Sequence, residues 1–152
     1  AGKNRLELFR SALGRQGAGL DPALTRSSPG SWRTTYTDAL ELLSGAEPPT
    51  AVFATTDLDA VCVWVAAERL GIRVPEELEI IGVGNSEIGQ ESEPALSTVG
   101  PDPVQDEIVR LLLSRPEERQ PGQPGPGPAG RHVPAPWKLH LRGTTAGQGG
   151  AG

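Results

Sequence analysis

Asp57 and Asp59 lie two positions apart, where a short apolar run at 50–55 passes into a longer one at 60–67. Paired acids at such a junction suit acid–base chemistry, a metal ion or the hydroxyls of a ligand. Side chains two apart on a helix point in different directions. The competing reading is therefore structural, with Asp57 capping a helix N-terminus and complementing its dipole. Other candidates fall away faster. His132 and His140 have no cysteine or carboxylate beside them at zinc spacing, so no metal site is expected. Cys62, the single cysteine, sits within an apolar helical run, where a thiol is inert packing. The glycine-rich stretch 82–89 has the wrong spacing for a dinucleotide loop, and no clear helix is expected after it. It reads instead as a strand end that something approaches closely. Trp32 and Tyr36 read as core, although Trp32, beside a turn, also suits stacking on a ring. No cofactor is expected.

Helical periodicity predicts an amphipathic helix over 5–13, with Leu6, Phe9 and Leu13 on one face and an end near Gly14. Turn signals at 21–22 and 27–30 bracket a segment, 23–26, that reads as a strand. A second helix is expected from the N-cap Ser31 to Leu43. Then follow a strand at 50–55, a helix at 57–70 stopped by Gly71, a turn at 74–77 and a strand at 78–83. Strand, helix and strand with short connections is the βαβ pattern of a parallel sheet. The middle helix is apolar on most sides, so a cover beyond its sheet, such as a partner subunit, is expected. A further strand at 96–99, a helix at 104–113 and a closing strand at 137–142 complete the reading. Eight of the ten residues 121–130 are Pro or Gly, a linker composition. In open parallel sheets ligands bind outside the carboxyl ends of the strands. Here those ends carry Thr55, Thr56 and Asp57, and Gly84 and Asn85, short polar groups fitted to a small hydroxyl-rich molecule.

Composition narrows the field. The 152 residues include 35 Gly or Pro and no Met, so the chain, opening on Ala1, is expected to be a piece of something longer. Its longest apolar run is eight residues, against about 20 for a bilayer span. One cysteine permits no internal disulfide, which favours a cytoplasmic setting. Residues 1–35 carry six basic and two acidic side chains, whereas 36–113 carry three basic and fifteen acidic ones. That acidic middle has the wrong sign for gripping a nucleic acid directly.

Several blocks, in order along the chain, are similar to the lactose-repressor (LacI/GalR) transcriptional regulators. The segment 49–60, PTAVFATTDLDA, resembles that family's P-T-A-v-f-a-N-D-x-x-A turn. The segment 71–82, GIRVPEELEIIG, resembles its G-x-x-V-P-E-D-v-s-v-v-G block. Residues 94–99 are similar to P-x-L-T-T-v, 141–145 to v-R-x-S-T, and 5–9 to R-x-x-G-F. The resemblance implies an α/β fold of the periplasmic-binding-protein type I kind, a parallel sheet flanked by helices and part of an incomplete two-lobe structure. It implies a C-terminal lobe over 1–95 and a crossover at 96–115 belonging to the other lobe. A linker at 116–136, a returning strand at 137–145 and a tail at 146–152 follow, with the opening strand of the lobe and a helix-turn-helix upstream of Ala1. By position, Arg5 matches the arginine that reaches effectors, Trp32 the ligand-facing aromatic, and Asp57 the acid of the asparagine–aspartate pair. Thr56 replaces that asparagine. Gly84 stands where many members carry an aspartate, with Asn85 following. The implied activity is non-enzymatic: a sugar-like effector bound by Arg5, Trp32, Thr56, Asp57 and Asn85 in a cytoplasmic homodimer that meets operator DNA through the upstream head. The rivals are a solute-binding transport protein of the same fold, a degenerate fragment without a ligand, and an α/β enzyme using Asp57 as acid or base.

Overall fold

Helix α3 (Asp57–Leu70) organises the molecule, and its sequence shows why it starts and stops where it does. Thr56 is its N-cap, the hydroxyl accepting from the Asp59 main-chain N–H at 3.1 Å. Gly71, in the left-handed region at φ 74°, ends it by donating back to Ala67. Between these caps Ala60, Cys62, Ala66 and Ala67 are fully buried. Small side chains on the inward face let α3 lie close to the sheet and to helix α2 (Trp32–Leu43), whose Ala39 and Leu43 are buried with them.

The structure is a computed structural model that describes residues 2–27, 30–103, 105–113 and 135–148. Helix α1 (Gly2–Arg15) comes first, then a 3-10 turn (Pro22–Leu24) and α2. Strands β1 (Ala51–Phe53) and β2 (Glu79–Val83) flank α3 in sequence. A short helix α4 (Glu87–Glu91), strand β3 (Ser97–Pro101), helix α5 (Gln105–Leu113), strand β4 (Trp137–His140) and a final 3-10 turn (Ala146–Gln148) follow. The sheet runs β1-β2-β3-β4. The first three strands are parallel, with Val52 opposite Ile80 and Gly82 opposite Thr98, and β4 lies antiparallel to β3 with His140 opposite Thr98. This is the parallel-dominated α/β architecture expected from the sequence.

Thr144 closes the amino end of the sheet. Its hydroxyl donates to the Ile80 carbonyl at 2.7 Å and accepts from the Ser97 N–H at 2.8 Å, while its carbonyl accepts from the Ile80 N–H. One threonine therefore supplies the hydrogen bonds that β2 and β3 lack where their ladder begins. Ser97 adds a bond from the Arg142 N–H, at 2.8 Å, and one shared with Thr145. The closing R-G-T-T block is thus a plug under β2 and β3.

Several expectations change. Residues 23–26 form no strand: the chain turns in a 3-10 helix over Pro22–Leu24, and Thr25 is extended but has no strand beside it among the described residues. Extended backbone without a partner cannot become a strand. Asp57 is not the cap of α3, because Thr56 takes that place and Asp57 is the first helical residue. A helix does follow the glycine-rich stretch, α4, although it has only five residues. The closing strand ends at His140, since the Ser97 side chain rather than a ladder partner takes the Arg142 N–H. Residues 97–101, assigned by the sequence reading to a crossover, pair with both β2 and β4. The linker core at 121–130 and the end of the tail, 149–152, lie outside the described residues.

Candidate functional site

Only 2% of Asp57 is exposed, and its carboxylate ties together three segments that are distant in sequence. Oδ2 accepts from the Ser86 N–H at 2.6 Å and from the Ser86 hydroxyl at 2.7 Å. Oδ1 accepts from the Thr98 hydroxyl at 2.5 Å. Thr98 Oγ1 in turn accepts from the Asn85 N–H at 3.2 Å. The start of α3, the turn after β2 and the middle of β3 are thereby locked at the carboxyl side of the sheet. Hydrogen bonds to an ionised acceptor are short and about twice as strong as neutral ones.

This geometry accounts for the glycines on either side of Val83. A Cβ on Gly82 would fall on the Asp57 carboxylate and within 3.0 Å of Leu96 Cδ2. Gly84 has φ 139°, and a Cβ there would stand 3.3 Å from Asp57 Oδ2. The missing acid at position 84 is thus accompanied by a backbone that side chains rarely adopt, facing another carboxylate. Asn85 follows at φ 52°, the left-handed region that asparagine tolerates. Its amide nitrogen donates to the Pro101 carbonyl at 2.8 Å, and its amide oxygen accepts from Arg142 at 2.6 Å. Arg142 also donates to the Leu96 carbonyl at 2.8 Å.

Around the β1 end, the Thr56 hydroxyl donates to Asp59 Oδ2 at 2.7 Å, and Thr35 reaches Asp59 Oδ1 at 3.2 Å. The two aspartates therefore face different neighbours, Asp59 toward α2 and Asp57 toward β2 and β3, as their helical spacing requires. Arg5 comes in from α1. It donates to the Thr55 carbonyl at 2.7 Å, and its guanidinium carbon lies 5.7 Å from the centre of the Trp137 ring. Such a cation over an aromatic face is attracted by the ring quadrupole.

Of the five site residues expected from sequence, the structure ties Asp57 and Asn85 into one network through Thr98 and Ser86. It puts Arg5 and Thr56 at the end of β1, on Thr55 and Asp59 respectively. Trp32 is separate: 44% exposed, it opens α2, and its carbonyl accepts from Cys62 Sγ at 3.9 Å. Cys62 itself is buried, which with the nearby Asp59 pushes its thiol up to about 11, so it is no nucleophile at neutral pH. Sequence reasoning passed over Ser86, Thr98, Arg142 and Trp137. The first two are short hydroxyls beside a named site residue or within a named block. Arg142 was legible only as part of the closing block, and Trp137 carried no signal of its own. Among the described residues no three His, Cys, Asp or Glu side chains are grouped to hold a metal ion.

The side-chain partners of both carboxylates are hydroxyls, joined at Asp57 by the Ser86 main-chain N–H. The comparison with known proteins agrees with the architecture. The profile of the periplasmic-binding-protein-like domain matches residues 1–145. The chain belongs to this family. Within it, the chain is similar to the HTH-type transcriptional repressor CytR of Escherichia coli (strain K12), 33% identical over 113 residues, 73% of this chain and 33% of that protein. It is similar also to the HTH-type transcriptional regulator CelR of Thermobifida fusca, 30% identical over 118 residues, 76% of this chain and 34% of the relative. A solved transcriptional regulator CelR–cellobiose complex superposes with a TM-score of 0.67 at 26% identity, covering 92% of this chain and 41% of the other. A LacI family transcriptional regulator from Mycobacterium smegmatis also gives 0.67 at 26% identity, covering 95% and 52%. The LacI-type resemblance read from the sequence is borne out. This periplasmic-binding-protein-like chain spans about a third of the length of those two curated relatives. No helix among its described residues is long and apolar enough to cross a membrane.

Proposed function

We propose that this chain is the effector-sensing and dimerisation part of a LacI-type transcriptional regulator and not an enzyme. The observation that carries the reading is the family match over residues 1–145 together with relatives that are themselves transcriptional regulators. The effector is a small polar, sugar-like molecule lying over the carboxyl ends of β1 and β2. Arg5, Thr56 and Asn85 are the groups nearest it, and Arg5 offers the guanidinium fork suited to paired hydroxyls. Asp57 serves the site by holding the 84–86 turn. The segment at α5 crosses to a second lobe before β4 returns, and exposed Ile108, Val109 and Leu113 on α5 support that division of the chain. Ligand closes the lobes and shifts the relation of two copies, and through them of DNA-binding heads, by its differential affinity for the two states. The working compartment is the cytoplasm. A thermal-shift screen of mono- and disaccharides and nucleosides tests the reading. At least one compound is expected to raise the melting temperature in proportion to the logarithm of its concentration. A screen in which no compound acts would overturn effector sensing by this chain.

A further inference from the structure

Trp137, the first residue of β4, lies opposite Pro101 at the carboxyl end of β3. That places it at the same end of the sheet as Thr55, Thr56 and Asn85. The register also fixes its face. Phe53, Ile81 and Ser97 are aligned across β1, β2 and β3, and by strand alternation Pro101 and Trp137 share their side. Helix α1 lies on this side, since Phe9 stacks on Phe53 at 4.4 Å. Arg5, one turn before Phe9, therefore projects over the sheet. It donates to the Thr55 carbonyl at 2.7 Å, and its guanidinium carbon stands 5.7 Å from the centre of the Trp137 ring. The opposite strand is held as well, because the Asn85 amide donates to the Pro101 carbonyl at 2.8 Å. Trp137 itself is 53% exposed. A large aromatic ring fixed at its root, open on its surface and flanked by a guanidinium is suited to receive something flat.

We propose that Trp137 is the stacking platform of the effector site, the role that the sequence resemblance implies for Trp32, and that the effector is a saturated hydroxylated ring, a pyranose. The inference rests on the effector reading above. The negative face of an indole attracts a cation, here Arg5. It attracts the polarised C–H bonds on the flat side of a pyranose for the same reason, and it also shields them from water. The hydroxyls at the rim of the sugar then face the Arg5 guanidinium, whose five N–H donors match paired oxygens. One residue supplies the apolar contact and its neighbour the polar one, the combination a small-molecule site needs. An acyclic polyol has the hydroxyls without the flat face, so it gains little from Trp137.

The test follows binding to the 152-residue chain by thermal shift and by tryptophan fluorescence. The probes are D-glucose, D-galactose, maltose and lactose, with sorbitol and adenosine as compounds that lack a pyranose. At least one pyranose is expected to raise the melting temperature and to change the fluorescence, and sorbitol and adenosine to do neither. Trp137→Ala should weaken that binding by roughly tenfold or more. Trp137→Phe keeps a face to stack on and should retain most of it. Because the side chain is half exposed, both variants should fold. In Trp137→Phe the thermal shift is expected to persist while the fluorescence change disappears, a pattern that a merely structural role would not produce. If no compound acts on the parent chain, the effector reading falls and the platform with it. If a pyranose acts equally on the parent and on Trp137→Ala, the effector reading stands and the platform is overturned. Loss of the response in Trp32→Ala, with Trp137→Ala unaffected, would move the stacking ring to Trp32 and overturn the proposal. A response to adenosine or sorbitol in place of the sugars would overturn it as well.

Discussion

Replacing Asp57 by Asn separates a positioning carboxylate from a ligand-contacting or catalytic one. The substitution keeps shape and removes one of two acceptor oxygens. With the new NH₂ in place of Oδ2, it faces the Ser86 main-chain N–H, a donor that cannot turn away. With the NH₂ in place of Oδ1, it faces the Thr98 hydroxyl, which can rotate to accept but then loses a partner for its own hydrogen. The second orientation costs less. It forfeits one charge-assisted bond, worth about 1.5–3 kcal/mol, and weakens the two Ser86 bonds from charged to neutral strength. The expected loss is about 2–4 kcal/mol, with Asp57→Ala at the upper end because all three donors are stranded. Urea unfolding followed by tryptophan fluorescence reads this as a lower midpoint at unchanged slope. A double-mutant cycle with Thr98→Val should give a coupling above about 0.5 kcal/mol, as for residues in one network. If Asp57→Asn unfolds within about 0.5 kcal/mol of the parent while effector affinity collapses, the carboxylate acts on the ligand and the reasoning fails.

Other consequences follow from single contacts. Thr144→Val should destabilise by about 2–4 kcal/mol, measured by the same unfolding, because a buried Ile80 carbonyl and a buried Ser97 N–H lose their partner together. Gly82→Ala should cost about 1–3 kcal/mol or more, since its methyl meets the Asp57 carboxylate and Leu96 in a filled space. Arg5→Ala should abolish any effector-induced thermal shift while lowering the unliganded melting temperature only slightly, a direct check on the proposed guanidinium contact. Cys62 should resist alkylation by iodoacetamide in the folded chain at pH 8 and react promptly in urea. Because the folded thiol is held up at about 11 while the unfolded one ionises near 9, its contribution to stability is complete below pH 9. That contribution is lost as pH rises through 11, and unfolding midpoints over this range should fall.

The helices and the parallel strands were legible because local chemistry decides them. Ser31 and Thr56 cap, Gly71 stops, and the apolar run after Asp57 has one favourable way to bury itself. The failures share a cause. Residues 23–26 have strand composition, but a strand exists only where a neighbour completes its hydrogen bonds, and no described strand pairs with them. Asp57 was visible as a chemically capable residue, whereas its partners Ser86 and Thr98 lie 29 and 41 positions away and announce nothing on their own.

The sequence by itself determined the family, the order of elements and the polar composition of the strand ends, since caps, periodicity and ordered motif blocks are properties of adjacent residues. The tertiary structure alone decided that Asp57 holds the 84–86 turn, that Thr144 plugs the sheet, that Trp32 lies apart from the Asp57 network and that Trp137 stands under Arg5. Those assignments depend on which distant segments the parallel sheet brings within hydrogen-bond reach, and no spacing along the chain encodes that distance.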